Sequence, residues 1–232
     1  MRTTKLLSNA TSWNNLNQKL EELTKSERAK EAGDIFENVC KFFLQTAPQY
    51  QTKLKNVWLL KEVKEDLRRK FNLPSTDEGI DLIAETFDGK YWAIQSKYRS
   101  DPKDTLTIKG DLATFANLAF NNCKNISLGL VMTTADKPPL KTKLLKGVSF
   151  VTLESFLELD DNKFEGWNLI KAKENAEINK KMSRTAKDFA MLCANCHRMI
   201  HRMMTRDGNR VISLDEFKES VNFKFKEKIK EL

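Results

Sequence analysis

A mixed β-sheet flanked by helices, in the order α-β-β-β-α-β with one further strand, is the fold class that this sequence predicts. Three features lead there. Residues 80–87 and 91–98 are apolar runs on either side of Asp88-Gly89, a strong two-residue hairpin turn, so they pair antiparallel. Residues 32–45 carry Ile35, Phe36, Val39, Phe42 and Phe43 at helical spacing, which gives a helix with one buried face. Residues 126–133 are a short apolar run suited to a central strand.

The remaining elements fit between these. Residues 1–30 are polar and charged, with Trp13, Leu16, Leu20 and Leu23 on one helical face, and form an N-terminal helical extension that packs on the domain or on a partner. The main domain is expected over 31–160. After its first helix, residues 56–63 read as a strand through Val57, Leu59 and Leu60, followed by the charged stretch 64–70. Beyond the hairpin, Leu112, Phe115, Ala116 and Ala119 form a helical stripe over 110–120. A helical turn or two over 140–146 precedes a last strand at 148–153. Asp160-Asp161-Asn162-Lys163 interrupts the pattern before Trp167, so a boundary is placed near 160–170, with a small helical and knuckle-like appendage over 168–232.

With 232 residues, 40% of them hydrophobic, the chain can bury a substantial core, and no stretch approaches the roughly 20 apolar residues of a membrane span. The start lacks a long apolar core, which argues against secretion. Four cysteines, two of them isolated at Cys40 and Cys123, make no disulfide framework, and a reducing cytoplasm is the expected compartment. The net charge of +8 is concentrated in the tail: residues 168–232 hold 15 Lys and Arg against 9 Asp and Glu, and the rest of the chain holds 25 against 23. Such a tail either adds salt-dependent, sequence-independent affinity for nucleic acid or is a solvated helix surface.

The hairpin carries the candidate chemistry. Alternation sends Gln95 and Lys97 to one face of the second strand and Trp92, Ile94, Ser96 and Tyr98 to the other. A lysine on an otherwise apolar sheet calls for a carboxylate or a bound phosphate, and Asp81 on the neighbouring strand is the local candidate. Carboxylate, amide and lysine together supply hard oxygen ligands for Mg²⁺ and a fixed cation near an attacking water, as phosphodiester hydrolysis requires. The alternative is a buried Asp81–Lys97 ion pair with no chemistry.

Gln95-Ser96-Lys97, with Asp81 in Glu78-Gly79-Ile80-Asp81-Leu82 and Gly33-Asp34-Ile35-Phe36-Glu37 upstream, resembles the PD-(D/E)xK nuclease superfamily. Within it, the Q-x-K form is that of Mrr-like restriction endonucleases, and the likeness covers roughly residues 30–155. The resemblance implies a restriction-endonuclease-like fold in which Asp81 is the principal Mg²⁺ ligand and Gln95 binds the metal or its water. Lys97 orients and activates that water. Glu37 supplements a site that a neutral Gln leaves one charge poorer, against the alternative of a helix-surface acid. Asp77 and Glu78 read more simply as turn acids. The implied cofactor is Mg²⁺, with Mn²⁺ as substitute, and the implied partner is DNA. The implied setting is restriction or anti-phage defence, with a homodimer on DNA or a helicase or other defence subunit as partners, because similar domains precede helicases in large restriction enzymes.

In the tail, Cys193-Ala194-Asn195-Cys196-His197 followed by His201 resembles the closing half of an HNH endonuclease over about residues 186–203. Cys193, Cys196, His197 and His201 are either a four-ligand Zn²⁺ set or the remnant of such a module. These are the only two histidines, and no second C-x-x-C exists, so the tail lacks the family's general base. Two other functions stay open for the whole chain: a nucleic-acid-binding protein whose nuclease site has decayed, and a regulatory subunit that docks through its terminal helices.

Overall fold

The structure is a computed structural model that describes residues 7, 9–74, 79–140, 142, 145–161 and 165–188. The chain divides into two units after Ala176, and the first of them holds the sheet. Five strands lie in the order β1 (Leu54–Leu59), β2 (Leu82–Thr86), β3 (Tyr91–Lys97), β4 (Ile126–Thr133) and β5 (Val148–Val151). The first three pair antiparallel and the last two join in parallel, which makes the sheet mixed as the sequence predicts. Parallel addition of β4 needs a long crossover, and the helical segment 108–122 supplies it. That segment starts and ends in wide π-type turns around a short α-helical centre.

One face of the sheet is covered by helices α1 (Trp13–Lys25) and α2 (Ala29–Thr46). Helix α1 buries Trp13, Leu16, Leu20 and Leu23, the stripe read from its spacing. Its first turn is capped twice. Ser12 accepts from the Asn15 N–H at 3.0 Å, and the Asp160 carboxylate accepts from the N–H groups of Trp13 and Asn14 at 2.6 and 2.9 Å. Asp160, which reads in the sequence as a break in pattern, therefore fastens α1 to the end of the domain. Phe156 packs within 5.1 to 5.3 Å of the rings of Trp13, Phe36 and Phe43, so α1, α2 and the last part of the domain share one core. The opposite face buries Ile83, Tyr91, Ala93 and Val131 against Leu112, Phe115 and Phe71.

Three expectations needed adjustment. The strand expected over 56–63 stops at Leu59. Residues Leu60–Glu62 turn into a tight helical turn, in which Glu62 accepts the Leu59 N–H and pairs with Lys41 at 2.8 Å. The charged stretch after it is helix, Glu65–Phe71, closed by Asn72 in the left-handed region at φ 52°. The last strand ends at Val151, and Leu153–Leu157 is helical. Residues 141, 143 and 144 of the turn expected over 140–146 lie outside the described residues. Among the described residues no helix is long and apolar enough to cross a membrane.

Candidate active site

Asp81 stands one residue ahead of β2, yet its backbone is held on both sides. Its N–H donates to the Ile94 carbonyl at 2.9 Å, and its carbonyl accepts from the Leu60 N–H at 2.8 Å. Its side chain continues the ladder: Oδ2 accepts the Ser96 N–H at 2.6 Å and the Ser96 hydroxyl at 3.1 Å. The carboxylate thus takes the place that a main-chain acceptor would have, which fixes it at the end of β3. Two residues earlier Gly79 has φ +115°, a conformation that a side chain would strain.

Glu37, Asp81 and Lys97 line one cleft of about 570 Å³ at this end of the sheet. Helix α2 contributes Lys30, Gly33, Asp34 and Glu37. The approach to β2 contributes Gly79 and Asp81, and the end of β3 contributes Ser96 to Arg99. Phe36 is wholly buried in the core while its neighbour Glu37 faces the cleft, as the amphipathic spacing of α2 requires. A further sign of this convergence is the thiol of Cys40, one turn after Glu37. Burial pushes it well above the usual cysteine range, and the charges of Asp81 and Glu37 push it further.

Lys97 is half-buried, and among the described residues it has no ion-pair partner within 4.0 Å. The static Asp81–Lys97 ion pair considered from the sequence is therefore not formed. Gln95 is only 2% exposed and does not line the cleft. It sits one layer back, where a side chain added at Gly79 would lie 3.6 Å from its Nε2. Its Oε1 is buried without a hydrogen bond, which is costly for a polar atom with no other partner. Among the described residues no group of three or more His, Cys, Asp and Glu side chains is set to hold a metal. The carboxylates that line the cleft are those of Asp34, Glu37, Asp81 and Asp104, hard oxygen donors of the kind that Mg²⁺ takes.

One expectation about facing is corrected. Alternation puts Ser96 opposite Lys97, but both reach the cleft, along with Tyr98. The cleft opens at the strand end, where side chains from both faces meet the same space. Sequence reasoning also missed Lys30, Arg99 and Asp104. The guanidinium of Arg99 pairs with Asp111 through Nη2 and lies 3.1 Å from Asp104 through Nε. Asp111 is anchored in turn by the N–H and hydroxyl of Thr107, at 2.8 and 3.0 Å. Burial alone would raise the Asp111 carboxyl, but those Thr107 bonds and Arg99 outweigh it and hold it below its usual range. A readable signal existed for Arg99, a cation two positions after Lys97; Asp104 had none. Asp77, Glu78, Cys193, Cys196, His197 and His201 lie outside the described residues.

Among curated proteins there is no match. A solved structure, the ATP-dependent Type ISP restriction-modification enzyme LlaBIII bound to DNA, is similar at 22% identity with a TM-score of 0.43. The likeness covers 63% of this chain and 8% of that one. A family model described as restriction endonuclease, Mrr_cat_2, matches residues 45–177. The matched span holds Asp81, Gln95 and Lys97, begins after Glu37, and makes up more than half of the sequence. The chain belongs to this restriction endonuclease family.

Proposed function

We propose that the protein is a Mg²⁺-dependent DNA endonuclease that hydrolyses phosphodiester bonds in restriction or anti-phage defence. One observation carries this reading: Glu37, Asp81 and Lys97, which come from three separate elements, line the same cleft. Asp81, with its orientation set by Ser96, and Glu37 are the ligands that would hold the cation, and the Gln95 amide oxygen behind them is the third donor. When bound, Mg²⁺ supplies Lewis-acid stabilisation of the charge that develops on the phosphate and lowers the pKa of a bound water; Mn²⁺ substitutes for it. Lys97, without a carboxylate partner among the described residues, orients the attacking water and offsets negative charge on the phosphorane. The buried Cys40 thiol, kept neutral beside two carboxylates, adds no competing charge.

The basic segment 168–232 adds affinity for any duplex, and Cys193, Cys196, His197 and His201 are either a set for one Zn²⁺, which metal analysis of the purified protein would detect at one equivalent, or the remnant of such a module. Cutting both strands needs two active sites, so the working form on DNA is a homodimer or an assembly with a helicase or another defence subunit. The test is cleavage of supercoiled plasmid, methylated and unmethylated, with Mg²⁺, Mn²⁺ or EDTA. Nicked or linear product that EDTA suppresses is expected on at least one substrate. Binding without cleavage under either metal would replace this reading with that of a decayed nuclease that binds DNA.

A further inference from the structure

Arg99 is held by two carboxylates of unequal kind. Asp111 is partly buried, is anchored by Thr107, and grips the guanidinium through Nη2. Asp104 has its side chain 64% exposed, lines the cleft itself, and lies 3.1 Å from Nε. That second contact is an ion pair without hydrogen-bond geometry, and among the described residues the buried Nε–H has no acceptor. The backbone of Arg99 cannot drift, because its N–H donates to the Thr134 hydroxyl at 2.6 Å and its carbonyl accepts from the same hydroxyl at 2.8 Å. Thr134 is itself buried. The guanidinium, on a fixed backbone, therefore presents an edge on which Nη2 is held by Asp111, while Nε on that same edge faces the exposed Asp104 without a hydrogen bond among the described residues.

We infer that Arg99 grips a backbone phosphate of the DNA strand in this cleft, and that Asp104 is a resident stand-in for that phosphate which the incoming strand displaces. The inference rests on the nuclease reading and adds to it a phosphate-binding residue and an electrostatic gate. A phosphodiester offers the acceptor geometry that a planar guanidinium fits and carries the same single negative charge as the carboxylate it replaces. Asp111 keeps the fork aimed at the cleft while the exchange occurs. Asp104 sets a threshold, since an uncharged ligand does not expel it.

The two acids then have opposite effects, which a purely structural salt-bridge network does not give. The full chain would be titrated against a short fluorescent duplex, with Ca²⁺ in place of Mg²⁺, over a range of salt concentrations. Asp104→Asn is expected to tighten binding by about 3- to 10-fold, and Asp111→Asn to weaken it. Arg99→Met is expected to weaken binding by about tenfold and to reduce the salt slope by about one. In the Arg99→Met background the Asp104→Asn gain should vanish, because the gain acts through Arg99 and not through general loss of negative charge. Thermal melts of each variant separate misfolding from loss of contact, and the exposed Asp104→Asn should melt as wild type does. Equal tightening by Asp104→Asn in both backgrounds, or weakening in the wild-type background, would overturn the gate. A wild-type protein that binds no duplex at all would instead reject the nuclease reading beneath it.

Discussion

Two lysines of this domain have opposite fates. Lys41 on α2 is almost entirely buried and meets the Glu62 carboxylate at 2.8 Å, which ties the helix to the turn that ends β1. Lys97 on β3 is half-buried, faces an open cleft, and has no ion-pair partner among the described residues. A buried cation must be paired, and Lys41 is. A cation left half-open beside two carboxylates that it does not bond is available for a ligand. The ion pair that the sequence allowed for Lys97 thus exists in this protein, but at Lys41.

The same substitution at both positions breaks or sharpens that contrast, with the largest effect at the cleft. Lys97→Met should lower plasmid cleavage about 100-fold or more and leave the melting temperature nearly unchanged. Lys41→Met should do the reverse, costing about 3 kcal/mol in urea unfolding because Glu62 is left without its cation, with cleavage per folded molecule retained. If both substitutions reduce stability alike, the distinction between structural and functional lysine is lost. Ser96→Ala removes the hydroxyl bond to the Asp81 carboxylate and should raise the Mg²⁺ concentration for half-maximal cleavage about tenfold, with Ser96→Thr restoring most of it. Gly79→Ala strains a residue at φ +115° and should cost about 1 to 2 kcal/mol of stability.

The smallest effect concerns pH. Asp111 is depressed in the folded state, so its contribution to stability is present above the ordinary carboxylate range and is lost as pH falls through the lowered folded value. Comparing acid unfolding of wild type and Asp111→Asn should show the difference shrinking towards zero below about pH 4. A difference that grows with acidity would contradict the assignment of the Thr107 and Arg99 bonds.

How far the sequence foretold this depends on the range of the contacts involved. The hairpin and the helix face of α2 rest on local periodicity, and β4 spans residues 126–133 as read. Asp81, Lys97 and Glu37 could be named because each lies in a short motif on a regular element. Local pattern could not reveal that β1 stops at Leu59, since the turn there depends on Lys41, eighteen positions upstream. Nor could it place Gln95 behind Gly79, or bring Ser96 into the cleft against strict alternation, because both follow from how the segment before β2 packs on β3. The partnership of Arg99 with Asp104 and Asp111 arises in a loop, where no period exists to read.

The most direct test of the shared cleft is calorimetric titration of Mn²⁺ into wild type, Asp81→Ala and Lys97→Met, alongside plasmid cleavage by the same preparations. Wild type should bind a cation that Asp81→Ala loses and Lys97→Met keeps, while both variants fail to cut. Cation binding or cleavage that survives in Asp81→Ala would contradict the account.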